Sequence, residues 1–136
     1  MKRQSEEADL NRRALLMLSL AGATALVVGK GSSVLAEAPK GVKVDVIKET
    51  ESRIHGVSKV QLIEVTFEPG AMLPTSKMDT AMICECTLGS LEVTLDEGQK
   101  VTMRRGGIWT CGVGTDEGVA NKGTTLAIMR VFNMVA

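Results

Sequence analysis

The feature that most limits the possible folds is a period-two alternation of apolar and polar residues, which runs through most of the chain after residue 40. Such alternation places every second side chain on one face of an extended strand, and turns that contain Gly separate the alternating stretches. No segment there carries an apolar stripe at helical spacing. The pattern therefore predicts a small all-β domain, a sandwich or barrel of short strands. The predicted strands are residues 42–48, 60–67, 81–88, 91–95, 101–104, 108–111 and 125–134.

The first 38 residues lack this alternation and predict a signal peptide. A polar start ends in the pair Arg12 and Arg13, and residues 14–28 form an apolar stretch rich in Gly and Ala. A charged start, an apolar middle and small residues before a cut are the usual order of a signal peptide, and the arginine pair resembles a twin-arginine signal. We therefore expect export to the periplasm. The apolar stretch is shorter than the roughly 20 residues that a membrane span needs.

Small residues near the end of this segment offer two cleavage sites. One follows Ala36 and the other follows Ala38, which precedes Pro39. We assign residues 1–38 to the twin-arginine signal peptide and residues 39–136 to one mature domain. No membrane span is expected to remain after cleavage. A domain of this size has a thin core, so a homodimer is a natural way to bury more surface.

Charge and aromatic content exclude one class of partner. The formal net charge of the chain is zero, and its aromatic residues are Phe67, Trp109 and Phe132, with no Tyr. Nucleic-acid binding relies on a positive surface or on aromatic side chains that stack with bases. We therefore expect no nucleic-acid partner, and instead a small-molecule ligand or a partner protein.

Three stretches of the predicted domain resemble the cupin family. Residues 67–74 run Phe-Glu-Pro-Gly-Ala-Met-Leu-Pro, which is similar to the start of the first cupin motif. Residues 86–93 are similar to the strand, glycine turn and strand of the family, and residues 106–123 lie where the second motif falls. The resemblance implies a cupin-type jelly-roll β-barrel of two facing antiparallel sheets, commonly dimeric.

The chain departs from the family at the metal ligands. Metal-binding cupins supply two His separated by one residue, then a Glu and a third His. The resemblance assigns Ser76 and Met78 to the first pair, Met82 to the Glu and Glu117 to the last His. The single His of the chain, His55, lies upstream in a polar segment, where we expect it to be solvent-exposed. The usual site for Fe, Mn, Ni or Zn is therefore not expected, and no cofactor is assigned.

The residues that replace the ligands suggest a different interior. Alternation puts Met82, Cys84 and Cys86 on one strand face, and the resemblance points that face into the barrel. The simpler interpretation is core packing, because Met fills irregular cores and buried Cys behaves as a small hydrophobe. Thioether and thiolate sulfurs also select soft metals, which makes Cu(I) an alternative. The ligand-pocket candidates are Ser76, Met78, Met82, Cys84, Cys86, Trp109, Cys111 and Glu117, of which Met78, Met82, Cys84, Cys86 and Cys111 are the soft-metal candidates.

The three cysteines leave two oxidation states open. The periplasm oxidises thiols, so the protein holds either one disulfide and a free thiol or three buried thiols. Cys84 and Cys86 cannot easily bridge each other, since same-face neighbours along a strand are about 7 Å apart at Cα. A bridge from either of them to Cys111 across the barrel is the alternative to three free thiols.

Two classes of function remain open. Nothing in the sequence resembles a Ser-His-Asp or Cys-His arrangement. Acidic pairs at residues 96–98 and 116–118 each precede a glycine and predict solvated turns, although Glu117 takes the place of a family ligand and is able to act as a base or hold a cation. The favoured interpretation is a non-catalytic cupin that binds a small ligand or a partner. The alternative is a metal-dependent enzyme of oxygenase or isomerase type, or a copper binder that uses Met, Cys and Glu ligands.

Overall fold

A computed structural model describes residues 38–136 of the chain. The predicted signal peptide lies outside the described residues except for its last position, Ala38. Within the described part of the chain, no helix is both long and apolar enough to cross a membrane. The same part consists of nine strands and one short 3-10 turn at Asp96–Gly98.

The strands of the described region pair into two antiparallel sheets. In chain order they are β1 (Val42–Glu51), β2 (Lys59–Phe67), β3 (Met72–Lys77), β4 (Ala81–Leu88), β5 (Ser90–Thr94), β6 (Lys100–Arg104), β7 (Ile108–Cys111), β8 (Asp116–Ala120) and β9 (Ala127–Val135). One sheet has the order β1-β2-β9-β4-β7 and the other the order β3-β8-β5-β6. Strands that are distant in sequence, such as β2 and β9, are neighbours, which is the crossover pattern of a jelly roll. The predicted fold class is confirmed.

Period-two alternation builds the core between the sheets. Along β2, Gln61, Ile63, Val65 and Phe67 are buried, while the residues between them are half-buried. Apolar side chains from both sheets form one cluster, in which burial of each large side chain contributes about 1.5–3 kcal/mol. The largest fully buried apolar members include Phe67, Ile63, Met82, Leu91 and Met129.

The sequence pattern does not predict two of the strands, β3 and β8. In β3 only Leu73 is fully buried, and the pairing of β3 with β8 shifts register between Leu73 and Ser76. The prediction of a solvated turn at residues 116–118 is wrong, because Glu117 and Gly118 are buried within β8. Gly118 belongs there for a steric reason: a Cβ at this position would lie 2.5 Å from Oγ1 and 3.0 Å from Cα of Thr75. The glycine therefore lets two backbones approach, rather than marking a turn.

The predicted turn at residues 88–90 carries the chain from one sheet to the other, because β4 and β5 belong to different sheets. Gly89 has a φ of +71°, and a Cβ there would lie 2.6 Å from the carbonyl oxygen of Leu126. Only glycine adopts such a conformation without strain and also leaves room for the neighbouring backbone. The turn fixes where the strand that carries Cys84 and Cys86 ends.

Candidate functional site

The inward side chains of β4 and β7 lie together on the inner face of the five-stranded sheet. Met82, Cys84 and Cys86 are buried on β4, and Trp109 and Cys111 are buried on β7. In the strand register Cys84 is opposite Trp109, and Met82 is opposite Cys111. Alternation therefore brings four sulfur-containing side chains and the indole into one patch of the interior.

Glu117 reaches this patch from the opposite sheet. It lies on β8, where its register partner is the half-buried Ser76 of β3. The Glu117 side chain is buried, and its Oε2 accepts a hydrogen bond of 2.5 Å from Nε1 of Trp109. The thiol of Cys84 donates to the same oxygen at 3.9 Å. One carboxylate oxygen thus joins side chains that belong to different sheets.

Burial is the main influence on the charge of Glu117. Removal of the carboxylate from water raises the pKa of Glu117 above its ordinary range. Hydrogen bonds to the charged form from Trp109, Cys111 and Cys84 counter part of that rise. Glu117 therefore keeps its proton to a higher pH than an exposed glutamate does. We refer to Glu117, Trp109, Cys84 and Cys111 as the carboxyl–thiol cluster.

The three cysteines are all free and buried, but their surroundings differ. The pKa of the Cys84 thiol is raised well above its usual value, first by a hydrogen bond with Cys111 and then by burial. The Sγ atom of Cys86 instead lies 3.5 Å from the carbonyl oxygens of both Leu88 and Gly89, and burial raises the pKa of this thiol. Because thiolate is the reactive form, such thiols resist oxidation and alkylation.

The structure contains no disulfide bond among Cys84, Cys86 and Cys111. Cys84 and Cys111 lie on β4 and β7, which are neighbours in one sheet, and Cys111 is opposite Met82 rather than a cysteine. Diagonal neighbours on antiparallel strands are about 7–8 Å apart at Cα, which is more than a disulfide spans without backbone movement. The expected bridge across the barrel is therefore wrong, and the second expectation, three buried thiols, describes this structure.

A second buried polar cluster lies on the same inner face, among residues that the sequence analysis does not single out. Asn133 of β9 is opposite Gln61 of β2 on one side and Met82 of β4 on the other. Its Nδ2 donates to Oε1 of Gln61 at 2.9 Å, and Nε2 of Gln61 donates to Oε2 of Glu49 at 2.9 Å. The hydroxyl of Thr80 donates to Oδ1 of Asn133. We refer to Glu49, Gln61, Thr80 and Asn133 as the amide row.

Strand alternation carries a signal for most of the amide row. Gln61 falls on the same face of β2 as Ile63, and Asn133 falls on the same face of β9 as Val131. A polar side chain at such an inward position must find a partner, because burial without one costs about 1–3 kcal/mol. Two inward amides on separate strands therefore predict a buried pair. Thr80 lies outside a strand and carries no such signal.

Met78, His55 and a surface depression lie outside the carboxyl–thiol cluster and the amide row. Met78, in the loop before β4, is buried, and its backbone bonds to those of Thr115 and Gly114 at 2.8 Å each. His55 is exposed in the turn between β1 and β2. A surface depression of about 310 Å³ lies at the opposite end of β2 from Gln61. It is lined by Lys40, Gly41, Glu68, Pro69, Gly70 and Ala71.

Comparison with solved structures identifies the fold. KdgF from Halomonas sp. superposes with a TM-score of 0.59 at 18% identity, over 71% of this chain and 83% of that one. A cupin superfamily protein from Desulfitobacterium hafniense gives a TM-score of 0.57 at 14% identity, over 76% and 86% of the two chains. A cupin domain from Bordetella pertussis gives 0.56 at 20% identity, over 71% and 95%. This domain has the cupin fold. No protein-family model and no curated protein matches the sequence.

The metal centre of the metal-binding cupins does not fit the residues of this cupin barrel. Of the four positions assigned by resemblance, Ser76, Met78 and Met82 carry no imidazole or carboxylate, and Trp109 already donates to the fourth, Glu117. Among the described residues, no group of three or more His, Cys, Asp or Glu side chains is arranged to hold a metal ion. The three imidazoles of the family's ligand set are therefore missing from these four positions.

Proposed function

We propose that the protein is an exported, non-catalytic cupin that binds a small ligand inside the barrel, beside Glu117. The observation that carries the proposal is the hydrogen bond from Trp109 to Glu117, which fixes a buried carboxyl group where the family places a metal ligand. Cys84 contacts this group, and Met82 is buried two positions away on the same strand face, so the nearby side chains include polarisable groups of low polarity. The setting favours a compact ligand that is mostly apolar and has one polar group to exchange hydrogen bonds with the carboxyl.

Two methionines provide the adaptability that such a ligand needs. Met78 and Met82 are both buried. Met has three rotatable bonds and repacks at low cost, which makes it common at adaptable binding surfaces. Met78 lies in the loop between β3 and β4, so its side chain is able to change rotamer without breaking a strand.

Export and self-association are the other parts of the proposal. Arg12 and Arg13 support a twin-arginine route to the periplasm. The outer face of the five-stranded sheet supports a homodimer, because Ile83, Ile108 and Phe132 are 40%, 66% and 39% exposed there. Grouped apolar side chains on a surface are typical of protein–protein contacts. Light scattering of the exported protein should give the mass of two chains, and a monomer at every concentration would contradict the dimer.

The single Trp of the chain gives a direct test of ligand binding, because Trp109 is part of the site. Cyclohexanol and n-hexanol, which are neutral probes with one hydroxyl group, should shift Trp109 emission and raise the Tm in a saturable way. Glu117→Gln should weaken the affinity about tenfold, since a carboxylate accepts a stronger hydrogen bond than an amide. Glu64→Gln, on the outer face of β2, is the matched control and should leave the ligand affinity unchanged. No saturable response in either measurement would refute the proposal.

A further inference from the structure

The sulfur atoms of the interior point to one class of ligand more than to any other. We propose that the barrel interior binds Cu(I), held by the Sγ atoms of Cys84 and Cys111 with the thioether of Met82 as a further ligand. This inference rests on the proposed function only in that the interior beside Glu117 binds a ligand, and it assigns a soft cation to that interior in addition to the apolar ligand.

The strand register gathers the three sulfur residues into one group. Met82 is directly opposite Cys111, and Cys84 lies two positions further along β4 on the same inward face. Cys84 and Cys111 are diagonal neighbours on adjacent antiparallel strands, which places their Cα atoms about 7–8 Å apart. Both thiols point inward from neighbouring strands, so an ion that lies between β4 and β7 on this face is within reach of both. All three residues are buried, so water does not compete for the ion.

The available ligands select a soft cation that accepts few ligands. Thiolate and thioether sulfur prefer Cu(I), whereas Mg²⁺, Ca²⁺ and Mn²⁺ prefer oxygen. A structural Zn²⁺ site is tetrahedral and closed by four ligands of Cys or His type. The described residues contain no set of three or more His, Cys, Asp or Glu side chains that fits a metal ion. Cu(I) is satisfied by a linear or trigonal arrangement of sulfur ligands, which Cys84, Cys111 and Met82 supply.

Binding of Cu(I) exchanges protons and transfers no electrons. Each thiol loses its proton to solvent as its sulfur bonds to the ion, and copper remains Cu(I) throughout. One Cu(I) and two thiolates together carry a single negative charge, so the ion neutralises half of the charge that deprotonation creates. The proposed complex therefore needs neither an oxidant nor a reductant.

Cys86 provides a matched control within the same strand. It lies on the same inward face of β4 as Cys84 and is equally buried. Its Sγ faces the carbonyl oxygens of Leu88 and Gly89 instead of another thiol, and its register partner is Met129 of β9, so no second cysteine is opposite it. Cys86→Ser thus removes one buried thiol from the protein without touching the proposed site.

The test is a titration of the reduced, exported protein with Cu(I) under anaerobic conditions, in competition with a chromogenic Cu(I) chelator. We expect one equivalent of Cu(I) per chain. Cys84→Ser and Cys111→Ser should each lower the affinity more than about 100-fold, because loss of a ligand exceeds the effect of losing a residue that only supports one. Met82→Leu, which conserves volume, should lower it about tenfold. Cys86→Ser should stay within about threefold of the wild type.

Two further measurements keep the outcome decisive. X-ray absorption of the Cu(I)-loaded protein should show only sulfur in the first shell, and nitrogen or oxygen ligands would overturn the assignment. The assignment would also be overturned if Cys86→Ser lowered the Cu(I) affinity as much as Cys84→Ser does. It would be overturned as well if the wild type did not compete with the chelator for Cu(I). Circular dichroism of each variant checks folding, and Cys84→Ala and Cys111→Ala replace a serine variant that does not fold. If Cu(I) does not bind while cyclohexanol still shifts Trp109 emission, only the copper assignment is refuted. If neither binds, the proposed function is refuted too.

Discussion

The amide row and the carboxyl–thiol cluster share the inner face of one barrel, and they offset the cost of burial in different ways. The amide row follows one sheet, with Thr80 in the loop before β4, and its central members, Gln61 and Asn133, are neutral. The carboxyl–thiol cluster joins both sheets through Glu117 and contains groups that change charge. In the described region, no buried side-chain nitrogen or oxygen lacks a partner. Neutral paired amides thus satisfy each other within the core, while the titratable cluster is the site at which we propose ligand binding.

The largest effect on stability is expected at the centre of the amide row. Asn133→Ala removes the amide that bonds to Gln61 and Thr80, and it leaves a cavity in the core. We expect the free energy of unfolding to fall by about 3 kcal/mol, measured by urea denaturation. Arg130→Ala, on the exposed face of the same strand, is the control and should cost about 1 kcal/mol or less. If Asn133→Ala lowered the free energy of unfolding as little as the control does, the amide row would not have the structural role assigned to it.

The next largest effect is expected at the hydrogen bond between the sheets. Trp109→Phe keeps the aromatic ring and removes the N–H group that donates to the Glu117 carboxylate. A hydrogen bond to a charged group contributes about 1.5–3 kcal/mol, so we expect a loss of about 2 kcal/mol at a pH above the raised pKa of Glu117, where the carboxyl group is charged. The loss should shrink in acid, where the carboxyl group is protonated. A double-mutant cycle with Glu117→Gln measures the coupling, and additive losses would show that the two side chains do not interact.

Strand alternation determines which parts of the fold can be predicted from the sequence and which cannot. Strands β4 and β7 begin and end at their predicted residues, because their inward and outward side chains differ clearly in polarity. Strand β8 escapes prediction because its buried residues include Glu117 and Gly118, which resemble a turn. Alternation also identifies faces within one strand only. The contact between Trp109 and Glu117 depends on how two sheets approach each other, and no local pattern reports that distance.

A third prediction concerns pH and separates the two clusters directly. Burial raises the pKa of Glu117 in the folded state, so its contribution to stability is fully present below the pKa of the unfolded chain. That contribution is lost as pH rises through the raised pKa. The Tm of the wild type should therefore fall relative to that of Glu117→Gln as pH rises from about 4, near the ordinary pKa of a glutamate, through the raised pKa of Glu117. An unchanged difference across this range would mean that burial does not perturb Glu117, whereas Asn133→Ala should lower the Tm equally at each pH.

The smallest effect is expected at the rim of the amide row, where its one charged member lies. Glu49→Gln keeps an acceptor for Nε2 of Gln61 but removes the ion pair with Lys59, whose Nζ is 3.7 Å from Oε1 of Glu49. The two side chains are 21% and 39% exposed, so solvent screens the pair and we expect a loss of about 0.5 kcal/mol. Added salt should reduce that loss further. A loss as large as that of Trp109→Phe would show that the row depends on a charge, and the contrast between a neutral structural row and a titratable binding cluster would then be wrong.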